Sequence, residues 1–516
     1  MAVLCDDPDM TPFTDHPYRV AVVGSGPAGV YACEALLDWS DSSDPSGRGI
    51  VVDLLDRLPV PYGLLRHGVA PDHPRIKGIA RTLEGIAADP RIRFLGNVEF
   101  GRDLTVEDVR RFYHAVVFST GALTDRRLGV PGEDLEGSYG AAEFVTWYDG
   151  HPDSHPEWAL TAERAAVVGV GNVALDVARM LVRSPEQLEP TDIPAHVRDG
   201  FGTNVTRVVS VIGRRGPAHA KFTPLELREM AKVEGVTVVV DPDDLEYDDE
   251  ARALRDGDRR VGQVCAQLEK WVGAQREAGL ETADEAETAA LAAGGKVVRF
   301  RFHRSPVEIV GDDGRVSGLR LEITEPDPAP AGAGAGTSGA AAATGSAAGS
   351  AVGRVRGTGR FEDLPVEAVY RAVGYRSAAL EGVPFDDSRA TIPNDGGRVL
   401  DAPGGDHLPG LFTAGWVKRG PSGVIGTNRS CAVETVGHLT TELESGTLPE
   451  PADPDPSAVR DLLADRGVDI VDGDAWLAID AHERELGEAA GRERTKLPGR
   501  AEMLDIARSS RATRSR

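Results

Sequence analysis

The sequence predicts an α/β fold in which two Rossmann-like units follow one another. Two segments carry that expectation: an apolar run turning through spaced glycines into a helix near residue 24, and a second of the same design near residue 169. Length agrees, because 516 residues exceed what one hydrophobic core commonly serves and suffice for two.

In chain order, Tyr18 to Val23 reads as a strand, Pro27 to Leu37 as a helix and Ile50 to Leu55 as the next strand, which together make a βαβ unit. His114 to Ser119 is a further strand running into Thr120-Gly121. A second strand, glycine turn and helix start at Ala165, and Arg207 to Ile212 reads as the strand that follows. From Glu325 to Arg360 the chain is mostly glycine and alanine, with few side chains able to pack, and is expected to be a disordered insertion that lengthens a surface connection. It separates the strand-like Arg315 to Thr324 from the sheet-like Phe361 to Tyr375.

Composition excludes several kinds of function. A formal charge of -25 argues against nonspecific nucleic-acid binding, which needs a surplus of Lys and Arg. Cys5, Cys33, Cys265 and Cys431 are too scattered for a CxxC redox pair or a zinc or iron-sulfur site, so no metal is expected and electron chemistry must come from a bound organic cofactor. No apolar run approaches the ~18 residues of a membrane span, and the acidic, proline-containing start is unlike a secretion signal. A cytoplasmic protein is expected.

The first motif, VAVVGSGPAG, places Gly24, Gly26 and Gly29 in GxGxxG spacing between a strand and a helix. In that setting the first glycine allows the tight turn, the second lets the backbone approach a pyrophosphate, and the third lets helix and strand pack closely. The acid expected to hold ribose hydroxyls is Asp56, with Asp53 as the alternative; the loop Ser40 to Gly49 accounts for its late position. In the second motif, AAVVGVGNVALDVARM, Gly169, Gly171 and Ala174 make GxGxxA, and Val173, Val177, Met180 and Leu181 recur at helical spacing as a buried face. After the next strand come Gly213-Arg214-Arg215, where an NAD site would place an acid. Two guanidinium groups there suit a ribose 2′-phosphate, so NADP is expected. Two dinucleotide sites in one chain suggest a flavin beside the nicotinamide, as hydride donor and acceptor must meet.

Three further blocks complete the pattern: PVPYGLLRHGVAPDHPRIK (Pro59 to Lys77), VIGRRGPAHAKFTPLELREM (Val211 to Met230) and GWVKRGPSGVIGTN (Gly415 to Asn428). With the paired nucleotide motifs they resemble the adrenodoxin reductase family, specifically its bacterial ferredoxin–NADP(+) reductases, over nearly the whole chain. The resemblance implies FAD at the first site, with contacts from Ala28, Asp56 (where the family commonly has Glu), Leu64, Val98, Trp416 and the Gly423-Val424-Ile425 backbone. It implies NADP contacts from Arg126, from Asn172, Val173, Ala174 and Leu175, from Arg214, Arg215 and Glu226, and from Gly423. His73 and Glu226 match the residues that tune the hydride-transfer geometry. The implied layout is an FAD-binding domain from residues 1–121 and 376–516, with an NADP-binding domain at 122–375 inserted and helices after Pro449 supporting the flavin.

The implied activity is hydride transfer from NADPH to FAD, then single-electron transfers to a small acidic ferredoxin, with a haem-thiolate monooxygenase as one downstream acceptor and a monomer as the working form. Arg66, His67, Arg75, Lys77 and Arg81, with Arg228 and Lys232, are the expected ferredoxin face. Rival readings are a disulfide reductase, which needs the missing CxxC, and a flavin monooxygenase. Two others are the flavin subunit of glutamate synthase, which carries a cysteine-rich iron-sulfur region, and a noncatalytic NADP(H)-binding redox sensor.

Overall fold

The computed structural model describes residues 16–327 and 354–514. Tyr18–Val23 is buried at every position, as a strand enclosed on both faces must be. It pairs in parallel with Ile50–Asp56 and Ala115–Phe118 inside a seven-stranded sheet. From one edge that sheet runs Asn394–Asp395, Arg398–Leu400, His407–Thr413, Ala115–Phe118, Tyr18–Val23, Ile50–Asp56 and Ile92–Gly96. Its strands thus come from two distant stretches of chain, joined where Leu411, Phe412 and Thr413 lie beside Val116, Val117 and Phe118 in parallel.

The helix Pro27–Ser42 covers one face of this sheet together with Ile425–Glu444, and Val30, Leu36, Ala432, Val436 and Leu439 share their core. The first helix runs past Leu37 into what the sequence suggests is loop. Trp39 is buried there, and its Nε1 donates to Glu444 at 2.7 Å, which holds the extra turn. Trp476, on the helix Gly473–Ala489, enters the same core edge-on to Tyr62.

The second sheet is parallel throughout, in the order Ser138–Gly140, Ala368–Arg371, Arg164–Val168, Val208–Ile212, Lys296–Arg301 and Val236–Val240. Helix Asn172–Val182 packs against it through Val177, Met180 and Leu181, with Val173 only partly buried. The chain passes from the first sheet to the second through Thr124–Asp125 and returns through Tyr375–Arg376, and these two short strands pair antiparallel. Both Asp125 oxygens accept from Ala142 N, at 2.9 and 3.0 Å, which ties this crossing to helix Ala141–Tyr148.

Arg304–Asp312, Arg315–Pro326 and Val355–Leu364 form a separate antiparallel sheet. Its ladder corrects the expectation of disorder over 325–360 at both ends: Glu325 pairs with Arg356 and Pro326 with Val355. The strand backbones satisfy each other's hydrogen-bonding groups there, and Arg356 also reaches the Glu325 carboxylate at 2.7 Å. Residues 328–353 of that expected insertion lie outside the described residues.

The glycines of the first turn divide into two kinds. A Cβ on Gly29 would stand 1.9 Å from Gly24 O, whereas one on Gly26 would meet nothing within 4 Å. Gly29→Ala is therefore expected to destabilise the fold by more than about 2 kcal/mol, since strand and helix backbones would have to part. Gly26→Ala should leave the thermal midpoint of the cofactor-free protein near that of the wild type. Thermal unfolding of both variants checks the contrast, and equal midpoints would refute it.

Candidate functional site

Both glycine turns have the same construction. Gly24 takes φ +108°, and a Cβ there would stand 2.6 Å from Ser119 O; Gly169 takes φ +137° with Ala372 O at 2.2 Å from the corresponding position. These glycines are required by a neighbouring strand. Gly26 and Gly171 differ, because a Cβ on either would enter open space. Each is also the N-cap of its helix, in extended conformation and with no side-chain capping bond, so first-turn amides are left for an anion. At the third position of the second turn, Ala174 is fully buried, as is Leu175 beside it.

Asp56 ends its strand and turns back onto the first glycine turn, accepting from Ser25 N at 2.9 Å, Ser25 Oγ at 2.5 Å and Leu58 N at 2.9 Å. Asp53 is 1% exposed and saturated by Arg93 at 2.6 and 2.7 Å and by Tyr113 Oη at 2.6 Å, so it is a structural ion and not the alternative to Asp56. Ala28 packs where a Cβ on Gly415 would touch its methyl at 2.6 Å, which sets the Gly415-Trp416 turn against the first glycine turn. Leu64 is half-buried on the short helix Gly63–His67, and Val98 is buried.

Trp416 sits where the two units meet. It packs with Ala122, Ala142, Tyr375 and with Val173 of the second glycine turn, and its buried Nε1 has no hydrogen-bond partner among the described residues. Nearby, Gly423 takes φ +85° and Val424 is 67% exposed, and Ile425 opens the helix Ile425–Glu444. Arg126 is exposed and held by its backbone to Gly374 O and by Nε to Tyr375 O, at 2.9 and 3.3 Å.

Asn172 Oδ1 accepts from Thr223 N at 2.9 Å, and Thr223 Oγ1 accepts from Glu226 N at 3.3 Å, so a short relay ties the second glycine turn to helix Pro224–Met230. Arg214 and Arg215 follow strand Val208–Ile212. Neither has a carboxylate at ion-pair distance among the described residues. Burial and the like charge of Arg214 depress the Arg215 guanidinium below its ordinary value. Arg215, His219, His303 and Arg354 border a cleft of about 720 Å³.

The structure brings His73 and Glu226 together, with three residues that sequence reasoning missed. His73 Nε2 lies 3.0 Å from Asp176 Oδ1 and 3.3 Å from Glu226 Oε2. Arg179, fully buried, reaches Asp176 at 2.7 Å, Glu226 at 3.3 Å and both oxygens of Asp72, at 2.5 and 3.0 Å. Its Nη2 also stands 2.6 Å from His73 Nε2, a nitrogen that cannot accept from Arg179 and donate to a carboxylate at once. With two carboxylates facing it the ring is better described as imidazolium. Burial and the nearby Arg179 charge oppose that charge, but the hydrogen bonds the ring donates to Asp176 and Glu226 outweigh them and hold it up at about 9. Ligand-type atoms of His73, Asp176 and Glu226 lie within 4.8 Å of one another, yet the Arg179 guanidinium already supplies the positive charge among them.

The expected ferredoxin face is corrected in part. Arg66 is buried against Glu483 at 2.5 Å, His67 is buried, and Lys77 is drawn inward by Asp149 and Asp192 at 2.8 and 2.9 Å. Burial first, and Arg66 second, keep His67 neutral. Arg75, Arg81, Arg228 and Lys232 are exposed.

A family model described as pyridine nucleotide-disulphide oxidoreductase matches residues 18–242. The NADPH-ferredoxin reductase FprA of Mycobacterium tuberculosis H37Rv is 41% identical over 504 residues, covering 95% of this chain and 99% of that one. The chain belongs to the adrenodoxin reductase-like ferredoxin–NADP(+) reductase family. Its other relatives in the family include the mitochondrial NADPH:adrenodoxin oxidoreductase of Homo sapiens, 38% identical over 496 residues with 95% of this chain and 91% of that one covered. The solved structure of FprA from Mycobacterium tuberculosis in complex with NADPH shares the fold at a TM-score of 0.78 and 38% identity, over 95% of this chain and 99% of that one. Within this family fold Cys33, Cys265 and Cys431 are buried and unpaired, so the described residues hold no redox disulfide.

Because His73 is raised above the ordinary histidine value of about 6.5, its imidazolium contributes stability that is complete below about pH 6.5 and is lost as pH rises through about 9. The gap in thermal midpoint between wild type and His73→Gln is expected to be widest near pH 6 and to shrink by pH 9.5. A gap independent of pH would show that His73 is not charged in the fold.

Proposed function

We propose that the protein is an NADPH–ferredoxin reductase that binds FAD at the first glycine turn and NADPH at the second. The observation that carries this reading is the pair of glycine cradles open at Gly26 and Gly171, linked by the Gly415-Trp416 turn, which meets Ala28 of the first and packs with Val173 of the second. The full-length likeness to NADPH-ferredoxin and NADPH:adrenodoxin reductases supports the acceptor class. The flavin would be held by Gly24, Gly26, Ala28, Gly29, Asp56, Leu64, Val98, Trp416 and the Gly423 to Ile425 backbone. An unpartnered Trp416 Nε1 and the open N-terminus of helix Pro27–Ser42 fit such a group. Bound FAD supplies a ring that takes a hydride and gives up electrons one at a time.

The chain's own part is placement and charge. Arg214 and Arg215 would grip the 2′-phosphate, the amides at Gly171 to Leu175 the pyrophosphate, and Arg126 and Gly423 the nicotinamide end. Glu226 would orient the carboxamide, and His73, held as imidazolium, would hold a proton at Nε2 beside the reacting rings. Trp416 and the packed crossing strands would shield that space from water. In this reading the FAD-binding domain comprises residues 1–121 and 376–516 and the NADP-binding domain residues 122–375, a division supported by the membership of the two sheets. A cytoplasmic monomer meeting an acidic ferredoxin through Arg75, Arg81, Arg228 and Lys232 completes the proposal. No helix among the described residues is long and apolar enough to cross a membrane.

Ferredoxin-dependent cytochrome c reduction by the FAD-loaded protein tests the reading, with NADPH and NADH compared at equal concentration. A rate that requires ferredoxin and prefers NADPH is expected; NADPH oxidation to which ferredoxin adds nothing would remove ferredoxin as the acceptor. Arg214→Ala and Arg215→Ala should each raise KM for NADPH by about 10- to 100-fold, the loss of one charge-assisted contact of about 1.5–3 kcal/mol. KM for NADH should stay as it was. Parallel losses for both nucleotides would place the 2′-phosphate elsewhere.

A further inference from the structure

Arg179 is the one residue of the charged cluster that touches Asp72, His73, Asp176 and Glu226 alike. Those partners come from different parts of the fold. Asp72 and His73 precede the short helix Pro74–Lys77 in the first unit, Asp176 is one turn before Arg179 on the second glycine helix, and Glu226 is on helix Pro224–Met230. The guanidinium takes Asp72 as a fork, Nε on one oxygen and Nη2 on the other, a geometry that fixes distance and angle together. Arg183, one turn further along the helix, adds Nε to Asp72 Oδ2 at 2.9 Å. The loop bearing His73 is thereby bolted to the helix that starts at the second glycine turn.

We propose that Arg179 is a positioning residue: through its fork on Asp72 it sets where His73 stands against Asp176 and Glu226, and with it the registration of the two nucleotide sites. The proposal rests on the reading above as an NADPH-dependent flavin reductase. It does not depend on the acceptor. A lysine in place of Arg179 keeps the charge but has no fork and no second nitrogen for Asp176, so the charge survives and the registration does not.

The test is single-turnover reduction of the FAD-loaded protein by saturating NADPH, without ferredoxin, in wild type, Arg179→Lys, Arg179→Gln and Asp72→Asn. Reduction in all three variants is expected to slow by at least about tenfold, the cost of a small misplacement of reacting groups. Affinity for NADP+ should change far less, and the long-wavelength charge-transfer absorbance of the NADPH–flavin complex should weaken. Arg179→Gln combined with Asp72→Asn should be no slower than the slower single variant, since both break one fork. Four results would overturn the proposal: wild-type rates in Arg179→Gln, wild-type rates in Arg179→Lys while Arg179→Gln is slow, a loss confined to NADPH affinity, or additive losses in the double variant. If the Arg179 variants do not fold, Asp72→Asn alone decides, because a folded, fully active Asp72→Asn protein is incompatible with the fork's role. Wild type that NADPH fails to reduce would instead refute the functional reading itself, so the two failures are distinct.

Discussion

A guanidinium with no access to water must find its acceptors before the chain around it can close, and in this fold those acceptors lie on separate elements. Arg179 is enclosed among Asp72, Asp176 and Glu226, with Arg183 and His73 beside them. Three carboxylates face two guanidinium groups, so a protonated His73 balances the set, and the hydrogen bonds its ring donates to Asp176 and Glu226 favour that form against burial and the Arg179 charge. Removing one partner would strand a charge, at a cost of about 3–5 kcal/mol. A second buried set reinforces the first. Lys77, Asp149, Asp192 and Lys496 neutralise one another within 3.2 Å, and Lys496 Nζ also donates to Arg66 O at 2.7 Å. The two units are thus held by ion pairs whose members are far apart in sequence.

With the units clamped, the glycine turns can divide their labour. Gly24, Gly29 and Gly169 are consumed by backbone approach within the protein, so a side chain at any of them meets a carbonyl. Gly26 and Gly171 are free of that demand. They begin helices whose first-turn amides have no side-chain cap, and Val173 of the second turn packs in one cluster with Trp416. The same spacing therefore contains positions that a neighbouring backbone occupies and positions that open into space, and only the distances separate them.

The strands Tyr18 to Val23 and Ala165 onward were legible in sequence because parallel strands buried on both faces read as largely apolar runs, interrupted in the first only by Arg19, ending in glycine. Asp176 and Arg179 were not. On a helix whose Val177 and Met180 are buried, charges are expected to face water, and nothing local reveals that Asp72 and Glu226 wait on other elements. Arg66, His67 and Lys77 misled for the same reason in reverse: a run of cations reads as surface, while Glu483, Asp149 and Asp192, which draw Arg66 and Lys77 inward, are supplied from more than seventy residues away. The ends of the glycine- and alanine-rich stretch were missed because a strand can be specified by its partner's ladder as well as by its own side chains. His73 and Glu226 came from the family resemblance; spacing alone left them as ordinary polar residues.

The treatment of arginine separates structure from ligand recognition. The chain carries 82 acidic and 57 basic residues besides histidine, so an arginine near the surface has no shortage of carboxylates. Arg93, Arg179, Arg299 and Arg494 each take two or more acidic oxygens, even where burial makes that costly. Arg214 and Arg215 stand adjacent, repel one another, and take none among the described residues. Among the described residues only the Glu250 carboxylate acts on Arg215 from a distance, so an anion from outside the fold would relieve the repulsion between the two guanidinium groups. Lack of an ion pair does not by itself single these two out, since Arg75, Arg126 and Arg228 also have none among the described residues; what distinguishes Arg214 and Arg215 is that two adjacent like charges, one of them partly buried, follow the strand after the second glycine turn, which is the physical ground on which the proposed nucleotide's 2′-phosphate is placed there.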